Sequence, residues 1–159
     1  MEKEFNVKFE VIASKNDLNE TEIKLYDKAF EARQKAYAQY SNFWVGCALL
    51  LENGEIITGS NQENAAYPSG LCAERTTIFW TSANYPGVKI KKLFVIGAPK
   101  DALSSSPIPP CGGCRQSILE YEVKQKEEIE IYFASLDGEI YKTKSIRDLL
   151  PFSFDASFL

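Results

Sequence analysis

The sequence predicts an α/β protein: a three-layer α/β/α sandwich with helices on both sides of a mixed five-stranded sheet. Three observations lead there. Apolar runs of strand length at Phe43–Leu51, Leu93–Ala98 and Ile129–Ala134 alternate with stretches of helical periodicity. Two turn signals, Asn53-Gly54 and Asp137-Gly138, each fold a strand back on its neighbour, so the sheet is not purely parallel. The 159 residues suit one domain, residues 1–159, and show no internal repeat, low-complexity tract or linker.

Each element has its own signal. Phe5–Ala13 alternates apolar and polar residues and reads as a short strand in an N-terminal extension, residues 1–15, that lies outside the five-stranded count. Asn19 followed by Glu22 resembles a capping box. After it, Ile23, Tyr26, Ala29, Phe30, Ala36, Tyr37 and Tyr40 recur at helical spacing, predicting a helix over Glu20–Tyr40. Phe43–Leu51 reads as a strand buried on both faces, and Glu55–Gly59 as its hairpin partner. A polar, turn-rich stretch, Asn61–Leu71, leads to a helix over Cys72–Ala83. A third strand at Leu93–Ala98 and a loop at Lys100–Pro110 precede a helix over Cys111–Tyr121. Strands at Ile129–Ala134 and Glu139–Thr143 follow, and a short helix at Ser145–Leu150 stops at Pro151.

Composition narrows the function. The net charge of −4 argues against a nucleic-acid partner, since phosphate binding needs a surplus of Lys and Arg on one face. The N-terminus lacks the basic start and apolar run of a signal peptide. The longest mostly apolar stretch, Phe43–Leu51, is too short to span a bilayer. A cytoplasmic protein is expected, with its four cysteines reduced and open to metal or catalytic use.

Three of those cysteines form a pattern: Cys72, then Cys111-Gly112-Gly113-Cys114. Cys-x-x-Cys at the start of a helix lets both sulfurs face one ion, and zinc favours thiolates. Three thiolates would leave one tetrahedral position for water, as in catalytic sites, and Glu74 is placed to touch that water without binding the metal. The chain has no histidine, so metal activation of water would replace the usual proton shuttle. Cys47, in an apolar run, is a small core residue on this reading; as a fourth ligand it would close the site. On spacing alone a structural metal site and a redox dithiol also stand. The dithiol leaves Cys72 unexplained.

The segments YSNFWVGCALL, NGEIITGSNQENAAYPSGLCAERTTIF, PCGGCRQSILE and LLPFSF resemble, in order and spacing, the small homotetrameric zinc-dependent cytidine deaminases of pyrimidine salvage. The resemblance runs from about Glu31 to Phe154 and implies a cytidine deaminase-like sandwich with one zinc ion per chain. It implies hydrolytic deamination of cytidine or deoxycytidine, with ammonia released. Water activated on the metal would attack C4, and Glu74 would carry its proton to N3 and then to the leaving amine. Cys72, Cys111 and Cys114 would hold the metal, with Arg75 and Gln116 supporting the thiolates. Asn61 and Glu63 would bind the ribose hydroxyls, Phe43 would lie against the pyrimidine, and Ala65 would offer backbone groups to the base. Tyr67 and Phe154 would border a neighbouring subunit's site in a homotetramer.

Without the resemblance, Asn61 and Glu63 read as turn residues, Phe43 and Trp44 as core, and Arg75 as a solvated helix residue. Cys47 stands where the family commonly has Ala, and Pro109 where it often has Ser. Competing activities are deamination of a related aminopyrimidine nucleoside and, from another class, a zinc-stabilised scaffold. Turnover of cytidine separates catalyst from scaffold.

Overall fold

Strand pairing centres on two apolar strands. The computed structural model describes all residues except Leu103 and Ser105; these two positions of the loop expected at Lys100–Pro110 lie outside the described residues. The elements are β1 (Glu10–Ile12), α1 (Glu20–Arg33), β2 (Phe43–Leu51), β3 (Ile56–Ser60), α2 (Ala73–Asn84), β4 (Ile90–Pro99), α3 (Gly112–Gln125), β5 (Glu130–Ala134) and β6 (Ile140–Thr143). They form one sheet in the order β1-β6-β5-β4-β2-β3. Only β4 and β5 run parallel, and α3 is the crossover between them. The sheet therefore has six strands where five were expected. The extra one is β1, which pairs antiparallel with β6 through Val11 and Tyr141.

Successive residues of a strand point to opposite faces, so β2 and β4 serve two cores. Cys47, Leu49, Leu93 and Val95 pack with Ile78 of α2 and with Ile118 and Leu119 of α3. Ala48, Phe94 and Ile96 pack with Leu25 and Ala29 of α1. Helices cover both sheet faces, as the sandwich requires.

The start of α1 follows the expected capping box: Asn19 Oδ1 accepts from the Glu22 N–H at 3.0 Å, and Glu22 Oε2 accepts from the Asn19 N–H at 3.2 Å. Its end does not follow the pattern. The helix stops at Arg33, short of Tyr40, because Tyr37 pairs with a distant segment. The Tyr37 N–H donates to the Asn61 carbonyl at 3.0 Å, and the Glu63 N–H donates to the Tyr37 carbonyl at 2.8 Å. Local periodicity over Ala36–Tyr40 is thus overridden by partners 24 to 26 positions away in sequence.

Helix α1 lies very close to β2 at Gly46. A β-carbon there would stand 2.0 Å from the Ala29 carbonyl oxygen and 2.4 Å from the Arg33 nitrogen. Beside this contact Arg33 is buried with no carboxylate paired to it among the described residues. Its Nε donates to the Trp44 carbonyl at 3.1 Å, and Nη2 donates to the carbonyls of Ala98 at 3.1 Å and Pro99 at 2.9 Å. Arg33 thereby joins α1 to the adjoining ends of β2 and β4. No helix among the described residues is long and apolar enough to cross a membrane.

Candidate active site

Two of the three patterned cysteines begin helices. Cys72 is the N-cap of α2 and Cys111 the N-cap of α3, and neither makes a side-chain capping bond. Their sulfurs remain free for another partner while both helix N-termini point partial positive charge at them. The Cys72 and Cys111 sulfurs are 3.8 Å apart, those of Cys111 and Cys114 are 3.5 Å apart, and all three lie within 4.8 Å of one another. Cys47 is not part of this cluster and packs in the core on β2.

The cluster fits a zinc ion. Zinc–sulfur bonds of about 2.3 Å in a tetrahedron place sulfurs roughly 3.8 Å apart. The thiols are also tied to one another by hydrogen bonds. Cys72 is pulled down to about 5 by a hydrogen bond from Cys114, against burial and with help from Arg75. Cys114 is pushed up, first by that same bond to Cys72 and then by burial. One thiolate suppresses its neighbour, and a dication among the three sulfurs would remove the conflict.

Glu74 lies in the first turn of α2 and is 4 % exposed. Burial pushes its carboxyl up to about 7, despite its own backbone N–H, and the charge of Cys72 adds to the rise. Arg75 Nη2 lies 3.8 Å from the Cys72 sulfur, and its Nε is a buried polar atom with no partner among the described residues. The first turn of α2 thus presents a thiol, a buried carboxyl and a guanidinium together.

A cavity of about 460 Å³ opens beside the cluster, and Cys72, Arg75, Asn61, Glu63 and Tyr67 all line it. Gln62 and Leu71 exchange two backbone hydrogen bonds of 2.9 Å, closing Glu63–Gly70 into a projecting loop that carries the exposed Tyr67. Asn61 and Glu63 both grip the chain before and along β2. The Asn61 amide bonds to Phe43 and Val45. The Glu63 carboxylate accepts from the Tyr40 N–H at 2.8 Å, from the Ser41 N–H at 3.3 Å and from the Ser41 hydroxyl. These bonds hold the Glu63 carboxyl below its ordinary value, with the Ser41 hydroxyl contributing most.

Seven of the expected residues do not line this cavity: Glu74, Cys111 and Cys114, which stand behind Cys72, and Phe43, Ala65, Gln116 and Phe154. Phe43 is half-buried, and its ring lies across Gly97, where a β-carbon would stand 3.1 Å from Cε1. Ala65 is exposed in the loop. Gln116 Nε2 donates to the Phe154 carbonyl at 2.9 Å, joining α3 to the C-terminal tail, and the Phe154 ring stacks on Phe158 at 5.5 Å. Sequence reasoning did not single out Tyr40 and Ser41, which also line the cavity. Both open the YSNFWVGCALL segment, but no spacing rule marks them.

Residues 19–126 match the family model described as the cytidine and deoxycytidylate deaminase zinc-binding region. A cytidine deaminase of Halalkalibacterium halodurans is 38% identical over 132 residues, covering 83% of this chain and 92% of that protein. A probable cytidine deaminase of Dictyostelium discoideum is 36% identical over 135 residues, covering 84% of each. The crystal structure of cytidine deaminase from Burkholderia pseudomallei superposes with a TM-score of 0.72 at 40% identity, over 83% of this chain and 98% of that one. That from Mycobacterium tuberculosis gives a TM-score of 0.65 at 30% identity, over 84% of this chain and 96% of that one.

Proposed function

The chain belongs to the cytidine and deoxycytidylate deaminase zinc-binding family, and from that premise we propose that it hydrolyses cytidine or deoxycytidine to the uridine product with release of ammonia. The observation that carries this reading is the buried Glu74 carboxyl on the same helix turn as Cys72, beside a three-sulfur cluster and an open cavity. Cys72, Cys111 and Cys114 would hold the zinc. When bound, zinc supplies Lewis acidity that makes water a usable nucleophile near neutral pH.

The remaining chemistry falls to the side chains. Glu74 takes the proton of the attacking water, passes it to N3 of the ring, and later protonates the amino nitrogen as it leaves. Its burial favours the neutral carboxyl, which suits a group that must hold a proton between two transfers. Arg75 offsets the thiolate charge. Asn61 and Glu63 bind the ribose hydroxyls from the cavity wall. Both already make strong bonds to the chain at Tyr40–Val45, so they meet the sugar as fixed groups rather than mobile ones.

Phe43 lies against the pyrimidine, and Ala65 offers backbone groups to the base. Tyr67 and Phe154 border the site of a neighbouring subunit in a homotetramer. The exposure of Tyr67, Phe152, Phe154 and Phe158 supports such contacts. Gln116 acts through the tail that it bonds. We read the whole chain as one domain working in the cytoplasm, where thiols stay reduced.

The test is ammonia release from cytosine, cytidine, deoxycytidine and deoxycytidine monophosphate, with zinc content measured on the same sample. Turnover of the two nucleosides by zinc-loaded protein is expected. Zinc-loaded protein that releases no ammonia from either overturns the reading in favour of a scaffold or another aminopyrimidine.

A further inference from the structure

The metal cluster is unevenly supported. Cys114 is fully buried on α3, whereas Cys111 is exposed. Cys111 follows Pro109 and Pro110, which carry no backbone N–H, and precedes Gly112 and Gly113. A β-carbon at either glycine would meet nothing within 4 Å, so beyond the buried Pro110 the turn faces open space from Cys111 to Gly113. Among the described residues, one side-chain hydrogen bond reaches the backbone of Pro110, Cys111 or Gly112, and it comes from Arg115: Nε donates to the Pro110 carbonyl at 2.7 Å.

The same guanidinium reaches across to the C-terminal segment, where Nη1 donates to the Leu149 carbonyl at 2.7 Å. That segment is fastened on both sides of Leu149. Upstream, Glu122 of α3 accepts from the Ser145 hydroxyl at 2.5 Å and from the Ile146 N–H at 3.2 Å. Downstream, Arg147 donates to Ser153 Oγ at 3.0 Å and to Asp155 Oδ2 at 2.8 Å.

We propose that Arg115 is a positioning residue that couples the C-terminal segment to the metal-ligand turn, its guanidinium bridging the carbonyls of Pro110 and Leu149. The bridge holds Cys111, the ligand with least packing around it, and loosening the tail releases that ligand first. The proposal rests on the zinc-deaminase reading of the cluster. It requires the planar fork of Arg, because a lysine carries the charge but cannot span two carbonyls in fixed geometry.

The test is the rate at which zinc passes from the intact protein to a chromophoric chelator. The thiolate-to-metal absorption of the cobalt-substituted protein is recorded alongside. Arg115→Met is expected to lose zinc about tenfold faster, the scale typical of residues that orient metal ligands. Arg115→Lys should lose it nearly as fast, with a shifted cobalt spectrum. Arg147→Ala, which frees the tail, should lie between, and combining it with Arg115→Met should add little. Arg115→Lys behaving as wild type reduces the effect to charge and overturns the bridge, as does an unchanged rate in Arg115→Met. Should Arg115→Met not fold, the lysine variant alone decides. A wild-type chain that takes up no zinc overturns the zinc reading itself, and the proposal with it, whereas zinc-loaded wild type matched by both Arg115 variants overturns the proposal alone.

Discussion

Asn61 clamps the first residues of β2: its Nδ2 donates to the Phe43 carbonyl at 2.9 Å, and its Oδ1 accepts from the Val45 N–H at 2.9 Å. Asn61→Asp keeps the acceptor and replaces the donor with an oxygen facing another oxygen. Loss of roughly 1–3 kcal/mol in urea denaturation is expected from the mispaired carbonyl. The KM for cytidine should rise about tenfold, equivalent to ~1.4 kcal/mol of binding. An unchanged denaturation midpoint would show that the clamp carries no stability.

Glu74→Gln preserves shape and removes both proton transfers. A fall in kcat of about 10²–10⁴-fold is expected, with the zinc content of the wild type. Retained zinc together with full turnover would remove Glu74 from the mechanism.

Acid stability should depend on a network away from the cavity. The Tyr132 hydroxyl donates to Glu22 Oε1 at 2.6 Å or to Glu130 Oε2 at 2.7 Å, and Lys92 Nζ lies 3.1 Å from Glu22. Burial raises the Glu22 pKa, but hydrogen bonds from Tyr132, the Asn19 N–H and Lys92 outweigh it and hold the carboxyl below its ordinary value of 4.5. A carboxyl lowered by folding stabilises the native state above its unfolded pKa, and that stability is lost as pH falls through the folded one. The urea midpoint should therefore be flat above pH 4.5 with respect to Glu22 and decline below it. Tyr132→Phe should shrink that decline and lower stability near neutral pH by roughly 1–3 kcal/mol. A variant with the same acid limb as wild type would exclude Tyr132 from the linkage.

Gly46→Ala tests the seat of α1. The added carbon would overlap the backbone of Ala29 and Arg33, which cannot turn away as a side chain could. Overpacking of this kind costs about 1–3 kcal/mol or more, seen as a lower melting temperature. Because Arg33 also holds the carbonyls of Trp44, Ala98 and Pro99, the shift should weaken cytidine binding as well. Melting unchanged from wild type would mean that α1 moves freely over β2.

How far these features could be read from the sequence depended on whether their causes were local. The bounds of β2 and the capping box of α1 follow from apolar runs and side chains a few positions apart, and the structure has them where the sequence places them. The three sulfurs were legible because metal chemistry demands rare residue types at fixed spacing, and the fold brings Cys72 beside Cys111 across 39 positions. The early end of α1 was not legible, since Ala36, Tyr37 and Tyr40 keep helical spacing while Tyr37 pairs with Asn61 and Glu63. The alternation of Phe5–Ala13 marked a strand in the extension, but not its place as the sixth strand of the sheet, since its partner β6 is distant in sequence and only Glu10–Ile12 pair with it. Arg33 and Arg115 left no signal because they bind backbone carbonyls, which every residue offers.

The spacing of the sulfurs also governs what happens if the ion is lost. Cys111 is open to solvent and stands 3.5 Å from Cys114 and 3.8 Å from Cys72. A peroxide reaching that exposed sulfur finds a resolving thiol already alongside, so stripped protein is poised to close a disulfide and refuse fresh metal. A reductant kept with chelator-treated protein should therefore preserve its capacity to take the ion back.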